Sequence, residues 1–373
     1  MESLVDVDGL PALETGGRLG HLREGLEAAG CDALLVTNLS NVRYLTGFTG
    51  SAALLLVAGS SAVLTTDGRY RTQAAEQLAA AGVVASIEIG NQVDQHRTLA
   101  AAAGGRSRVG LEAAAVTWAA QRALADVFTD HELVPTTGVV EALRRVKDAG
   151  ELARMEAAAA VADAALAEIL ALVADGRTEA EVGLALDFAM RRLGASGPAF
   201  ETIVAAGPNG AKPHARPGPR PIGRGELVVI DFGATVDGYR SDMTRTFCVG
   251  DVADDELARV FEIVIESQAR GVDTVAPGTA AAAVDRACRD VIDAAGFGDQ
   301  FVHSTGHGVG IDIHEAPAVA ATSADTLVVS SVVTVEPGIY LPDRGGVRIE
   351  DTLVVTSDGR RPITHFSKDL LVA

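Results

Sequence analysis

Four carboxylates and one imidazole are the side chains of this sequence best suited to metal chemistry. In chain order they are Asp231, Asp242, His307, Glu336 and Glu350. Oxygen ligands with a single nitrogen suit two hard or borderline divalent ions such as Mn²⁺, Co²⁺ or Zn²⁺, with one or two carboxylates shared between the ions. A structural zinc site would instead use thiolates at short spacing, and the three cysteines of the chain are scattered. The set therefore predicts a dinuclear metal site.

The first two of these acids lie in a segment with the pattern of a β-hairpin. An apolar-rich run begins at Leu227, Asp237-Gly238 interrupts it, and a second strand-like run follows. An Asp-Gly pair between two such runs is typical of a two-residue type I′ turn. This turn predicts that Val236 lies opposite Tyr239.

The same register places two carboxylates on one face of the hairpin. Asp231 lies opposite Thr244, and Asp242, two residues before Thr244, is diagonally opposite Asp231. Carboxylates at that separation repel each other unless a proton or a cation lies between them, and a buried pair favours the cation. The hairpin alone leaves open that both aspartates simply face water, since short polar residues are common near turns.

Three further histidines lie in or near the predicted site. His307 is assigned to a metal ion because a borderline ion favours one nitrogen ligand. His214, His303 and His314 are expected to support the ligands or to donate a hydrogen bond to an oxyanion. For each of these three, a solvated or capping histidine remains the alternative.

The sequence lacks residues that three other catalytic motifs require. HEAPA, which begins at His314, lacks the second histidine of a zincin because Ala318 stands there. The glycine-rich segment GHGVGID has no P-loop lysine, and the sequence contains no G-x-S-x-G nucleophile motif. We therefore expect neither a zincin, nor a P-loop enzyme, nor a serine hydrolase of that type.

Composition and charge exclude other classes of partner. The 373 residues include 50 acidic and 31 basic side chains, a formal charge of −19, which repels nucleic acid and anionic lipid surfaces. No apolar run has membrane-spanning length, and the N-terminus lacks the basic start and apolar core of an export signal. We therefore expect a cytoplasmic protein with reduced thiols.

The chain length and a change of pattern near Pro135 predict two domains. Residues 1–138 alternate short strands and helices, as in an α/β domain with a mostly continuous sheet. Residues 139–373 begin with long alanine-rich helices and end with a series of strands, which is typical of an α+β domain. In the first domain we expect a helix over residues 18–29 and a hairpin over residues 52–66.

The segments that carry the five predicted ligands resemble the metal site of the Xaa-Pro peptidase family, which includes prolidase and aminopeptidase P. In chain order these segments are IDFGA, SDMTRTF, HSTGHGVGIDIHE, VEPGIY and VRIED. The N-terminal half agrees, because SNVRYLTGF and TTDGRY resemble the creatinase-type N-terminal domain of the same enzymes. The resemblance implies an α/β N-terminal domain, residues 1–138, followed by an α+β pita-bread catalytic domain, residues 139–373.

The family pattern implies a role for each matching ligand. Asp231 would bind one metal ion, and His307 with Glu336 would bind the other. Asp242 and Glu350 would bridge the two ions. Glu336 is also the candidate that carries a proton to the leaving nitrogen.

The resemblance also implies roles for residues that do not bind metal. His214 matches the histidine that stabilises the tetrahedral intermediate. His303 and His314 match residues that line the proline pocket and the scissile carbonyl. Tyr340 and Arg348 match groups that brace the site.

Together these similarities imply dinuclear metal-dependent hydrolysis of an Xaa-Pro peptide bond, with Mn²⁺ as the expected metal and Co²⁺ or Zn²⁺ as alternatives. We expect action on proline-containing dipeptides and short peptides; a strict dipeptidase is the alternative, and an inactive peptide-binding scaffold is the alternative of another class.

Methionine aminopeptidases, which share the catalytic fold, resemble only the C-terminal half of this sequence. Creatinase does not use the metals, and histone-chaperone relatives have lost ligands. The family is commonly dimeric, so a homodimer is expected.

Overall fold

The computed structural model describes residues 4–174 and 176–372. The chain divides into two compact units, which we call the N-terminal unit, Ala12–Arg144, and the C-terminal unit, formed by the stretch that ends at Pro11 together with the chain from Arg145 onward. The sequence-based boundary at residues 138 and 139 stays a prediction for the limits of the folding domains. None of the helices in the described residues is both long enough and apolar enough to cross a membrane.

The N-terminal unit contains one six-stranded sheet in the order β4-β3-β2-β1-β5-β6. Its strands are β1 Ala33–Val36, β2 Ala53–Ala58, β3 Ser61–Thr66, β4 Ser86–Ile89, β5 Arg108–Glu112 and β6 Glu132–Thr136. Its helices are α1 Arg18–Gly25, α2 Leu39–Thr46, α3 Arg71–Ala80, α4 Gln92–Ala103, α5 Trp118–Ala125 and α6 Val139–Arg144. Strand β2 pairs antiparallel with β1 and β3, whereas β3 with β4, β1 with β5 and β5 with β6 pair in parallel. The expected hairpin is present as β2 and β3.

Two local features of this unit differ from the sequence-based expectation. The first helix ends at Gly25 rather than at residue 29. Helix α2 was not predicted, because it spans only 8 residues and mixes polar with apolar side chains. Its ends are nevertheless well defined, since the side chain of Asn38 accepts a hydrogen bond from the Ser40 N–H and Gly47 adopts a φ of 74° at the C-terminal end.

In its described residues the C-terminal unit combines four long helices with short strands, which pair antiparallel except for β12 with β20. The helices are α7 Ala149–Ala174, α8 Glu179–Arg192, α9 Asp255–Thr274 and α10 Ala281–Ala294. The strands of its first half are β7 Gly197–Pro198, β8 Ile203–Ala206, β9 Leu227–Phe232, β10 Ala234–Val236, β11 Tyr239–Arg240 and β12 Met243–Val249. The remaining strands are β13 Gly306–Gly308, β14 Glu315–Val319, β15 Val332–Val335, β16 Gly338–Leu341, β17 Gly345–Arg348, β18 Asp351–Thr356, β19 Gly359–Pro362 and β20 Leu371–Val372.

Two hydrophobic cores organise these elements. In the first, α7 and α8 pack on the sheet β20-β12-β9-β8. In the second, α9 and α10 pack on the sheet β14-β13-β15-β18-β19. Alanines such as Ala158, Ala162 and Ala165 of α7 are fully buried, so small side chains let the helix lie close to its neighbours. Each core therefore places the ends of its strands near the site described below.

The predicted hairpin register is confirmed. Val236 pairs with Tyr239, and Asp237 and Gly238 between them have φ angles of 40° and 74°, as a type I′ turn requires. The tip of the turn is attached to α7, because Arg154 Nε donates a hydrogen bond of 2.7 Å to Asp237 Oδ2. The turn is thus fixed at both its backbone and its side chain.

The hairpin is split into two short ladders, which the sequence did not predict. Strands β9 and β12 pair from Phe232 opposite Met243 to Leu227 opposite Cys248, and β10 pairs with β11 beyond the split. Gly233 lies at the split, where a Cβ atom would come within 1.9 Å of the Ser241 carbonyl oxygen. The close approach of the two chains, rather than a positive φ angle, therefore requires glycine at this position.

Replacing Gly233 with alanine should destabilise the protein by about 1–3 kcal/mol, because the hairpin has to open to admit the methyl group. The measurement is chemical denaturation followed by circular dichroism. Gly25→Ala is the matched control, since a Cβ atom there meets no atom within 4 Å and alanine is the better helix former. Equal stability of the Gly233 variant and the control would contradict the steric argument.

Candidate metal centre

The five predicted ligands all stand on or beside strand ends of the C-terminal unit. Asp231 lies in β9 and Asp242 directly precedes β12, so both come from the sheet of the first core. His307 lies in β13, Glu336 directly follows β15 and Glu350 directly precedes β18, so these three come from the sheet of the second core. The site is therefore assembled from two sheets.

The structure brings the five side chains together. One carboxylate oxygen from each of Asp231, Asp242 and Glu350 lies within 4.8 Å of the others. His307 Nε2 lies 3.6 Å from Asp242 Oδ2 and 3.3 Å from Glu336 Oε1. The imidazole thus joins Glu336 to the three-carboxylate group.

Two carboxylate oxygens of this group remain without a protein partner. Asp231 Oδ2 accepts a hydrogen bond of 2.6 Å from Arg348 Nη2, and Glu350 Oε2 accepts one of 2.8 Å from Thr244 Oγ1. Asp231 Oδ1 and Glu350 Oε1 are buried and have no hydrogen-bond partner among the described residues. Buried acceptors are normally satisfied, so these two oxygens fit the ligand atoms of a metal site.

The orientation of His307 suits a metal ligand. Its Nδ1 lies 3.0 Å from the Gly308 carbonyl oxygen, which can only accept, so Nδ1 carries the proton. The other ring nitrogen, Nε2, is directed toward Asp242 and Glu336, where it can bind a metal ion. Thr334 Oγ1 ties the two strands together, because it accepts from the His307 N–H at 3.0 Å and donates to Glu336 Oε1 at 3.1 Å.

Burial and mutual repulsion dominate the electrostatics of the acids. Burial raises the pKa of Asp242 and of Glu350 well above the usual range, and the charges of the neighbouring carboxylates raise both further. Burial also raises the pKa of Asp231, and the Arg348 guanidinium offsets part of that rise. A site that holds these carboxylates in their charged form must therefore contain additional positive charge.

Glu336 and His307 each stabilise the charged form of the other. Burial raises the pKa of Glu336, but the hydrogen bond and charge of His307 outweigh it and lower the pKa to about 2. Burial lowers the pKa of His307, but the contacts with Glu336 outweigh it and raise that pKa. Without a cation, this imidazole is the nearest available counter-charge for Glu336.

Glu350 is held through its main chain as well as its side chain. Its N–H donates to the Thr244 carbonyl at 3.1 Å. Arg245, only 1% exposed, donates from Nη1 to the Glu350 carbonyl and from Nη2 to Asp351 Oδ1 at 2.9 Å. Because Arg245 lies in β12 and Asp351 in β18, this arginine links the two sheets directly behind the acids.

A chain of hydrogen bonds leads from the predicted metal ligand Asp231 to His303. Arg348 Nη1 donates to the Tyr340 hydroxyl oxygen at 2.7 Å, and that hydroxyl lies 2.8 Å from His303 Nε2. His303 Nδ1 lies 2.8 Å from the Ser304 carbonyl oxygen, so Nδ1 carries the proton and Nε2 accepts from Tyr340. Burial raises the pKa of Tyr340 to about 12, which keeps its hydroxyl neutral and able to donate.

The remaining histidines, His214 and His314, line the same cavity. The His314 ring packs edge-on against the His307 ring, with 4.3 Å between the ring centres. Burial lowers the pKa of His314 and of His303, so both are neutral near pH 7. His214 follows Pro213, whose carbonyl accepts a hydrogen bond of 3.3 Å from Arg348 Nη1.

The cavity has a volume of about 560 Å³ and is lined by both acids and apolar groups. Its lining includes Phe200, Glu201, Thr202, Ile203, Pro213, His214, Ala215, Arg216, Asp231, Asp242, His303, Ser304, Gly306, His307, Ile313, His314, Ala318, Glu336 and Arg348. Eight of the ten residues of the sequence-predicted site line this cavity, and the two exceptions are Tyr340 and Glu350. Tyr340 accepts a hydrogen bond from the lining residue Arg348, and Glu350 is connected to Arg348 through Thr244.

Some residues of the site were missed by the sequence-based reasoning. Thr334 stands two residues before Glu336 on the same face of the chain, and that alternation was the available signal. Lys147 gave no local signal, although it forms a buried ion pair of 3.3 Å with Glu315, next to His314. The Glu315 carboxylate also accepts from the Asp312 N–H at 2.9 Å and so fixes the loop that carries His314.

The chain is similar to known peptidases over most of its length. It is 41% identical over 355 residues to the uncharacterized peptidase YqhT of Bacillus subtilis, an alignment that covers 95% of this chain and 99% of the relative. The solved structure of an Xaa-Pro dipeptidase from Bacillus anthracis superposes with a TM-score of 0.90 at 40% identity and covers 95% of this chain and 99% of that one. The prolidase of Pyrococcus horikoshii OT3 superposes with a TM-score of 0.89 at 32% identity, covering 95% and 100%.

Two family descriptions match successive parts of the sequence. The creatinase/prolidase N-terminal domain matches residues 18–146, and metallopeptidase family M24 matches residues 153–357. These matches and the solved structures confirm the predicted fold, an α/β N-terminal domain followed by an α+β pita-bread domain. The chain therefore belongs to metallopeptidase family M24, in the branch that carries a creatinase/prolidase N-terminal domain.

Proposed function

We propose that this metallopeptidase hydrolyses the peptide bond that precedes proline, with two divalent metal ions as cofactors. The observation that carries the proposal is the convergence of Asp231, Asp242 and Glu350, whose ligand oxygens lie within 4.8 Å of one another. Solved structures described as Xaa-Pro dipeptidase, prolidase and X-Pro aminopeptidase share its fold, which supports the same substrate class here.

The residues fit two ions that share ligands. Asp231 would hold one ion and His307 with Glu336 the other, while Asp242 and Glu350 would bridge them. This assignment is supported by the two buried oxygens that have no partner among the described residues and by the His307 Nε2 atom, which lies 3.3 Å from Glu336 Oε1. When bound, such ions supply a nucleophilic hydroxide near neutral pH and polarise the scissile carbonyl.

The protein's own groups would manage the proton and the developing charge. Glu336 lines the cavity beside His307, and as a carboxylate it would accept a proton and pass it to the proline nitrogen. His214 and His314 line the cavity and would donate hydrogen bonds to the oxyanion of the tetrahedral intermediate. His303, oriented by Tyr340 and Arg348, would line the space for the proline ring. A proline leaving group is a tertiary amide without an N–H, which favours a dedicated pocket over general proteolysis.

We further propose that the enzyme cleaves dipeptides and also short peptides, with strict dipeptidase action as the alternative. Relatives of both kinds share the fold: the Xaa-Pro dipeptidase of Bacillus anthracis at 40% identity and the X-Pro aminopeptidase of Thermotoga maritima MSB8 at 32% identity with a TM-score of 0.83. An inactive peptide-binding scaffold is the less favoured alternative, because every predicted ligand is present in the cluster.

Three finer proposals accompany the activity. Mn²⁺ is the proposed metal, since a carboxylate-rich set with one imidazole suits it, and Co²⁺ or Zn²⁺ would also bind. A homodimer is proposed from the family resemblance. A cytoplasmic location is proposed because Cys31, Cys248 and Cys288 are buried free thiols.

Removing the metals should abolish hydrolysis of Ala-Pro, and adding Mn²⁺, Co²⁺ or Zn²⁺ should restore it, because the proposed reaction needs both ions. The measurement is proline release after exhaustive chelation and after stepwise metal addition, with metal content determined by elemental analysis. Full turnover by verified metal-free protein would rule out the proposed mechanism.

Substitution of Glu350 and of His214 should separate metal binding from transition-state stabilisation. Glu350→Ala should lower kcat by about three decades together with metal content, since both ions lose a ligand. His214→Ala should lower kcat by about two to three decades with metal content intact. Glu262→Ala, an exposed acid of α9, is the control that should leave both quantities unchanged. Loss of metal from the His214 variant would show that this histidine contributes to metal binding.

Rates on Ala-Pro and Ala-Pro-Ala should both be measurable if the site accepts more than dipeptides. The comparison uses the metal-loaded protein and quantifies the released alanine by chromatography, so both substrates are read through the same product. Cleavage of the dipeptide with none of the tripeptide would instead make the enzyme a strict dipeptidase.

A further inference from the structure

Helix α10 carries an ion pair that contacts the segment between residues 301 and 305. Arg289 Nε donates to Asp285 Oδ2 at 2.7 Å, and the two residues stand one helical turn apart. Asp285 is fully buried, whereas the Arg289 side chain is 29% exposed. A carboxylate at that depth is retained when several donors satisfy it, so its other partners indicate what the pair does.

Those partners are main-chain groups around His303. Arg289 Nη1 donates to the Phe301 carbonyl at 3.1 Å, and Arg289 Nη2 donates to the His303 carbonyl. Asp285 Oδ1 accepts from the Thr305 N–H at 3.1 Å. The pair therefore binds this segment at alternate residues, with donors and an acceptor fixed on one helix face.

Aromatic contacts add a second connection between the same residues. The Arg289 guanidinium lies over the Phe301 ring, with 4.2 Å from Cζ to the ring centre. The Phe301 ring in turn packs edge-on against the His303 ring, with 5.2 Å between the ring centres. Both the main chain and the imidazole plane of His303 are thus restrained from the side away from the metal ligands.

The far side of the segment is part of the candidate site. His303 Nε2 accepts from Tyr340, which accepts from Arg348, and Arg348 pairs with Asp231. The Thr305 carbonyl accepts a hydrogen bond of 2.8 Å from the Glu336 N–H. A shift of this segment would consequently move His303 and the main chain of a predicted ligand at the same time.

We propose that Arg289 and Asp285 are positioning residues of the hydrolytic site, which hold residues 301–305 so that His303 keeps its place at the end of the Arg348–Tyr340 chain. The expected loss of activity rests on the proposed function, whereas the placement of residues 301–305 rests on the contacts that α10 makes. Neither residue lines the cavity, so their effect on substrate passes through His303.

Arg289→Lys tests the proposal, because lysine can keep the charge pair with Asp285 but cannot donate at fixed angles to both carbonyls. We expect kcat/KM on Ala-Pro to fall about tenfold with metal content and melting temperature close to those of the unchanged protein. Arg270→Lys is the matched control: Arg270 of α9 faces Glu266 at 4.0 Å in the same helical spacing, with both side chains exposed. The control should leave kcat/KM unchanged.

A double-mutant cycle with His303→Ala distinguishes positioning from general stability. If Arg289 acts through His303, Arg289→Lys should cost little further kcat/KM in the His303→Ala background. The same fold loss in both backgrounds, or no loss in the unchanged background, would overturn the proposal. Asp285→Asn, which keeps the shape but removes the charge that orients Arg289, is judged by the same criterion if the lysine variant fails to fold.

A spectroscopic readout keeps this test separate from the proposed activity. In Zn²⁺-loaded protein, Arg289→Lys should shift the imidazole NMR signals of His303 and leave those of His21, in the N-terminal unit, unchanged. Unchanged His303 signals would overturn the positioning role. If the unchanged protein does not cleave Ala-Pro at all, the proposed function fails, while the His303 signals still decide whether the α10 pair orients this histidine.

Discussion

Like charges buried in one small space are the constraint on which the C-terminal unit depends. Asp231, Asp242 and Glu350 place oxygens within 4.8 Å of one another, and burial raises the pKa of each. Arg348 contributes one positive charge, directed to Asp231. A fold can keep such a group charged only if cations enter it, and the surrounding chain must be rigid enough to hold the acids together before the cations arrive. The rest of the unit can be understood as the source of that rigidity.

Rigidity comes from two cores that face the acids from different sheets. One core supplies Asp231 and Asp242, and the other supplies His307, Glu336 and Glu350. Contacts between the sheets are made by buried polar groups rather than by apolar packing alone. Arg245 reaches from β12 to the main chain of Glu350 and to Asp351, and Thr244 donates to Glu350 itself. The relative placement of the ligands is therefore set by hydrogen bonds whose angles allow little displacement.

The sequence could predict those parts of the site that are set by contacts within a short stretch of the chain. The register that brings Asp231 beside Asp242 follows from one Asp-Gly turn and the alternation of strand side chains, so no distant information was needed. The approach of His307, Glu336 and Glu350 to this pair depends on contacts between sheets. The residue types predicted a shared metal site, and the family resemblance supplied the role of each residue in it. The break at Gly233 and the ion pair Lys147–Glu315 were not predicted, because each depends on a partner brought close only by the folded chain. Asp285 and Arg289 stand one helical turn apart, but their contacts with residues 301–305 likewise depend on the folded chain. Helix α2 was missed for the opposite reason, since its short polar sequence resembles a loop.

The Asp237-Gly238 turn also bears on the chemical ageing of the protein. Among aspartates, one followed by glycine is the most prone to cyclise to a succinimide, which reopens mainly as isoaspartate and adds one atom to the main chain. In a two-residue turn that extra atom would displace the register that sets Asp231 beside Asp242. The Asp237 carboxylate, which the Gly238 nitrogen would have to attack, accepts a hydrogen bond of 2.7 Å from Arg154 Nε. The ion pair at the hairpin tip thus restrains the group whose cyclisation would displace the predicted metal ligands.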